Sequence, residues 1–147
     1  MTSLEVLTSQ QREISEIAST LRAMLSSDQL EVQSVASAAR LLLCDLCRKT
    51  KQHLVEEDEE LYPSLMAHTD LQIQHLAWGF RTGDRPLRQQ FDVYYRRWLK
   101  DCEFRFTDEF LDETAELLDA IQRRIEREKM VMIPQLKESG FFPIATA

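Results

Sequence analysis

The sequence predicts an all-α fold, an antiparallel up-down-up-down four-helix bundle built from two similar helical hairpins. Three observations predict it. The chain of 147 residues has only 3 Gly and 4 Pro, far below the roughly 12% that the two make up on average, while Leu, Gln, Glu, Arg and Ala are abundant. Chains that turn often need more Gly and Pro, so an all-β sandwich or a fold with Gly-rich phosphate loops is excluded. Apolar residues recur at three- and four-residue steps in four stretches. The stretches also match one another in pairs, as in a repeated hairpin.

The first helix is expected from about Ser9 to Ser26, with Thr8 or Ser9 as its N-cap and Ser26-Ser27-Asp28 ending it. The second runs from about Leu30 to Tyr62, where Pro63 stops or kinks it. The third starts near Asp70, is expected to break at Thr82-Gly83-Asp84, resumes at Pro86 and reaches about Leu99. The fourth follows Thr107, carries Asp108 and Glu109 at its positive end and stops near Pro134. Residues 138–147 form an apolar tail around a C-capping Gly140. Its Phe141, Phe142 and Ile144 are expected to pack on the domain or on a second copy.

At 44% hydrophobic and 29% charged, residues 1–147 make one domain with enough apolar material for a core. No apolar run of about 18 residues exists, so no membrane span is expected. The N-terminal MTSLEVLTSQQREI has no basic segment leading into an apolar one and does not read as a secretory signal. Three cysteines are an odd count, which argues against a disulfide framework and for a cytoplasmic protein. A net charge of −7 argues against nucleic acid as the main partner.

The stripes point to a site. In the second helix Ala39, Leu43, Leu46, Thr50, His53, Glu57 and Leu61 share one face. In the fourth, Phe110, Thr114, Leu117, Ile121, Arg124, Glu128 and Met132 repeat the pattern. Both stripes begin apolar and turn polar near their C-terminal ends. Adding 71 carries His53 to Arg124, Glu57 to Glu128, Leu61 to Met132 and Pro63 to Pro134. A weaker echo at 73 carries Gln11, Ile14, Ala18, Leu21 and Leu25 to Asp84, Leu87, Phe91, Tyr94 and Trp98. Inward carboxylates and imidazoles at one level of a bundle usually bind a metal, because buried charges must be paired or coordinated. His53 and Glu57, four residues apart, point the same way, and Glu128 reaches in from the other hairpin. Imidazole with carboxylate suits iron, manganese or zinc better than calcium.

The segment His53-Leu-Val-Glu-Glu-Asp-Glu-Glu-Leu-Tyr-Pro-Ser-Leu65 resembles the HHE cation-binding motif of hemerythrin-like proteins. Arg124-Ile-Glu-Arg-Glu-Lys-Met-Val-Met-Ile-Pro-Gln-Leu136 is similar to a second, worn copy. The resemblance implies a four-helix bundle and, in intact members, a non-haem di-iron centre for oxygen binding or sensing. Here the bridging glutamates Glu57 and Glu128 are kept, but of the expected histidines only His53 is in place. Gln11, Asp84 and Arg124 stand at the other metal-site positions. A guanidinium has no lone pair to give a metal, so a five-histidine di-iron site is absent. Arg124 can instead supply positive charge to both carboxylates.

Other features read as structural. His68 and His75 are expected on the surface or in a turn. Cys44 and Cys47 form a mid-helix pair without further ligands, expected as small core residues. Phe91, Tyr94, Tyr95, Trp98 and Leu99 are expected in the core. The run Glu56–Glu60, apart from Glu57, and the basic residues from Arg81 to Arg105 read as solvated faces, or as charge complementarity between elements. No nucleophile or acid–base constellation emerges. The expectation is therefore a non-enzymatic binding or sensory module with an eroded di-iron site. It would hold iron, zinc or manganese at His53, Glu57 and Glu128. The alternative is a metal-free interaction or regulatory protein in which Arg124 replaces the metal charge. A homodimer or protein partner would use the basic third helix or the tail.

Overall fold

The computed structural model describes residues 3–100 and 105–142. Helix α1, Leu4–Met24, is capped by Ser3, whose Oγ accepts from the Val6 N–H. It starts at Leu4, five residues ahead of the expected start at Ser9, because Leu4 and Leu7 pack into a cluster with residues distant in sequence. A single turn, α2 (Ser27–Leu30), leads into α3 (Gln33–Glu56). A wider π-helical turn at Glu57–Leu61 continues α3 into α4, Tyr62–Met66. Asp70 caps α5, Leu71–Tyr94, which ends in a second wide turn at Tyr95–Leu99. Thr107 caps α6, Asp108–Arg127. A third wide turn, Glu128–Met132, joins α6 to α7, Ile133–Glu138. The described residues contain no strand.

Two expectations at prolines are settled by a widened turn: Pro63, expected to stop or kink its helix, does not stop it, and Pro134 does not end its own. In an α-helix a proline ring collides with the carbonyl four residues back. Just ahead of each proline the helix widens, so that Tyr62 N–H donates to Glu57 O and Ile133 N–H to Glu128 O. The extra residue takes up the proline and the rod continues. The expected break at Thr82-Gly83-Asp84 is also absent. The buried face Ile73, Ala77, Phe80, Asp84, Leu87, Phe91 and Tyr94 runs unbroken through it. Pro86 lies on the exposed side, where the carbonyl it leaves unpaired is open to water.

The four rods run alternately up and down. Glu13 of α1 meets Lys49 near the C-terminal end of α3, and Arg22 meets Asp119 of α6. Arg97 beyond the end of α5 meets Glu109 and Glu113 at the start of α6. Arg81 and Arg88 of α5 face Asp58. The acidic and basic runs are thus partly complementary between the second and third rods.

Every residue of the two predicted stripes is buried. The core has two apolar clusters. One holds Ile14, Leu43, Leu46, Phe91, Phe110, Leu117 and Ile121. The other holds Leu7, Leu61, Tyr62, Leu65, Phe80, Met132, Leu136 and Phe142. Between them lies a layer of buried Gln11, His53, Glu57, Asp84, Arg124 and Glu128.

Gly140 closes α7 with φ 76°, the left-handed region that glycine enters at no steric cost. Phe141 N–H then reaches Leu136 O, and Gly140 N–H reaches Lys137 O, the paired bonds of a Schellman end. This delivers Phe142 to the second cluster at 2% exposure. Ile144 lies outside the described residues. Tyr95 is exposed and not in the core, unlike Phe91, Tyr94 and Leu99. Cys44 is likewise exposed, while Cys47 is buried; neither is in a disulfide. Among the described residues no helix is long and apolar enough to cross a membrane.

Candidate metal centre

Each rod contributes to the polar layer. Gln11 comes from α1, His53 and Glu57 from the end of α3 and its wide turn, Asp84 from α5, and Arg124 and Glu128 from α6 and its wide turn. Glu57 and Glu128 are each the first residue of a π-helical turn, a feature that recurs at functional sites.

Glu128 is the hub. Its Oε1 lies 2.9 Å from His53 Nε2 and accepts from Gln11 Nε2 at 3.0 Å. Its Oε2 accepts from Arg124 Nε at 2.9 Å. Burial pushes this carboxyl's pKa up, but His53, Arg124 and Gln11 outweigh that and hold it at about 2. Glu57 is the opposite case. Its Oε1 stands 3.3 Å from His53 Nε2 without a hydrogen-bond partner. Its Oε2 accepts weakly from the Tyr62 hydroxyl at 3.3 Å and lies 4.0 Å from Arg124 Nη2. Burial, and then the charge of Glu128, push its pKa well above the ordinary carboxylate range. Of the two glutamates, Glu57 is the one whose surroundings favour the protonated form.

Arg124 spans the other side of the layer. Its Nη2 stands 2.5 Å from Asp84 Oδ1 and donates to the Tyr62 hydroxyl. Its Nη1 donates to Phe80 O at 3.1 Å, and the guanidinium carbon lies 4.8 Å from the centre of the Phe80 ring. Burial alone would lower its pKa, but Tyr62 and the three carboxylates raise it. Burial also pushes Asp84 up to about 6 despite this cation.

Sequence reasoning placed all six layer residues, and the structure brings all six together. Three of them, His53, Glu57 and Glu128, offer ligand atoms within 4.8 Å of one another. The donor set fits one cation. Glu57 Oε1 and Gln11 Oε1 are buried acceptors without partners beside it, and buried unpaired acceptors are costly. It does not fit two irons, because a guanidinium fills the opposite side.

The sequence reading missed three contributors. Gln10 Oε1 lies 2.7 Å from His53 Nδ1. Tyr62 bridges Glu57 and Arg124, although it was legible only as part of the Leu-Tyr-Pro ending. Phe80 covers Arg124. Beyond the place of Tyr62 in the Leu-Tyr-Pro ending, none of the three carried a sequence signal, because their roles depend on tertiary packing. His68 and His75 are outside the layer; His68 caps the 67–70 turn by accepting from Asp70 N–H.

Neither curated proteins nor solved structures yielded a match to the chain. The family model of the hemerythrin HHE cation-binding domain does match, over residues 2–136. That span takes in the whole polar layer and all four rods but for the last two residues of α7, and the chain belongs to the hemerythrin HHE cation-binding domain family.

Proposed function

We propose that this chain is a one-cation form of its family's centre. His53, Glu57 and Glu128 hold a single divalent transition ion, with Gln11 beside them, and Arg124 stands permanently in the place of the second ion with one positive charge. The observation that carries this reading is the division of the layer. Three ligand atoms converge on one side next to the unpartnered Glu57 Oε1. On the other side the guanidinium is tied to Glu128 and lies against Asp84.

The charges support it. Glu57, Asp84 and Glu128 bring three negative charges, and Arg124 brings one permanent positive charge. Protons or a bound cation must balance the remainder, since uncompensated charge is costly at this depth. A bound divalent ion supplies that charge and Lewis acidity. Glu57, as the carboxylate, and His53, through Nε2, would hold it. Iron, zinc and manganese all accept imidazole with carboxylate.

The ligand residues are 0–1% exposed between two apolar clusters, which favours holding an ion over turning a substrate over. The reading is therefore a non-enzymatic binding or sensory module, and the cytoplasm is its proposed compartment. The metal-free alternative rests on Arg124, which already lies within 4.0 Å of all three carboxylates. Titration of the untagged, chelator-stripped protein with zinc and ferrous ions tests both. Saturable binding that is lost in His53→Ala and Glu128→Gln supports the one-cation reading. No binding of either ion by folded wild type leaves the metal-free one.

A further inference from the structure

The polar layer explains what His53 faces with Nε2 but not what sets the ring that way. Gln10 lies beside the layer and is only partly buried. Its Nε2 donates to Glu56 Oε2 at 2.7 Å, and Glu56 Oε1 in turn accepts from Gln52 Nε2 at 3.4 Å. A carboxylate only accepts, so Glu56 fixes which end of the Gln10 amide faces it. The other end, Oε1, must then face His53 Nδ1, at 2.7 Å. An amide oxygen also only accepts, so Nδ1 must carry a hydrogen.

We infer that Gln10, oriented by Glu56, is a positioning residue that fixes His53 in the Nδ1–H form and so reserves Nε2 for a cation. Nδ1 faces Gln10 Oε1, while Nε2 faces the carboxylates, Glu128 Oε1 at 2.9 Å and Glu57 Oε1 at 3.3 Å. With the hydrogen held on Nδ1, the lone pair available to an ion would be the one on Nε2. Partners of this kind orient a ligating imidazole and make it more basic. Three neighbouring residues on two helices build it: Gln10 on α1, and Glu56 with Gln52 on α3. Glu56 thereby has a role distinct from the solvated acidic run around it.

The inference rests on the one-cation reading for its metal readout, but the ring readout is independent of it. Nitrogen-15 spectra of the His53 ring in metal-free and zinc-titrated full-length protein test it, together with zinc affinity. In wild type the Nδ1 hydrogen is expected as a slowly exchanging resonance in both states, with zinc on Nε2. Gln10→Ala should lose that resonance and bind zinc about 10- to 100-fold more weakly. The exchange Gln10→Glu with Glu56→Gln keeps an acceptor on Nδ1, now oriented by an amide donor, and should restore zinc affinity to within a few-fold of wild type.

A Gln10→Ala protein that keeps the Nδ1 resonance would overturn the inference, as would one that binds zinc as wild type does, or zinc found on Nδ1 in wild type. Wild type that binds no zinc but shows the Nδ1 hydrogen, lost in Gln10→Ala, would overturn the one-cation reading and leave the positioning role standing.

Discussion

Arg124 and Glu128 stand one helical turn apart, and Arg124 Nε donates to Glu128 Oε2 at 2.9 Å. Seventy-one residues earlier the same two positions are His53 and Glu57, with Nε2 and Oε1 at 3.3 Å. The repeat has put a guanidinium at one place in the layer and an imidazole at the other. A guanidinium has no lone pair to give a metal, whereas the imidazole has one.

Removing Arg124 should be costly. Arg124→Ala leaves Glu128 and Asp84 facing inward without their cation, and breaking a buried pair from one side costs about 3 to 5 kcal/mol. The exposed neighbour Arg123 is the control, since a surface change there should cost less than about 0.5 kcal/mol. Urea denaturation in chelator compares the two. Equal midpoints for both variants would show that Arg124 does not balance the layer. Arg124→His restores an imidazole four residues before Glu128 and should take up more zinc or iron than wild type.

The metal-free protein should be most stable in mildly acidic buffer. Asp84 is held up at about 6 by burial, above its ordinary 3.8, so the folded state takes that proton more readily. Stability from this group therefore rises as pH falls from about 7 toward 4, and the raised Glu57 acts in the same direction. Glu128 is held at about 2 and works oppositely: its contribution is present above its ordinary 4.5 and is lost as pH falls toward 2. Thermal melts in chelator across this range should peak between roughly pH 4 and 6. Metal-loaded protein should lose affinity over the same fall, because ligands must shed protons to bind. A melting temperature in chelator that climbs steadily from pH 4 to 8 would count against these assignments.

Truncation after Gly140 removes Phe141 and Phe142. Phe142 is buried with Leu7, Tyr62 and Leu136, and burying a phenylalanine contributes roughly 1.5 to 3 kcal/mol. The truncated chain should melt several degrees lower at unchanged helix content. An unchanged melting temperature would show that the tail adds nothing to the fold.

The bundle and the layer were legible because helical spacing is local and the hairpin occurs twice. The offset of 71 placed Arg124 opposite His53, and the echo at 73 placed Asp84 with Gln11; all four are buried in one layer. The helix ends were less legible. Ser3 caps α1 because Leu4 and Leu7 meet residues near the other end of the chain. Pro63 read as a stop or a kink and Pro134 as a stop, because local sequence does not show that a widened turn can absorb a proline. Gly83 read as a break, but a continuous buried face overrides its low helix propensity. Gln10 passed unnoticed because its role depends on Glu56, which only tertiary packing brings to it.

Metal stoichiometry tests the one-cation reading most directly. Untagged protein is stripped with chelator, loaded anaerobically with excess ferrous ion or with zinc, desalted, and assayed for metal against protein by elemental analysis. One ion per chain, falling to none in His53→Ala, is the predicted result. Two ions per chain in wild type would show that Arg124 does not take the place of the second ion, and no retained ion of either kind would contradict the centre altogether.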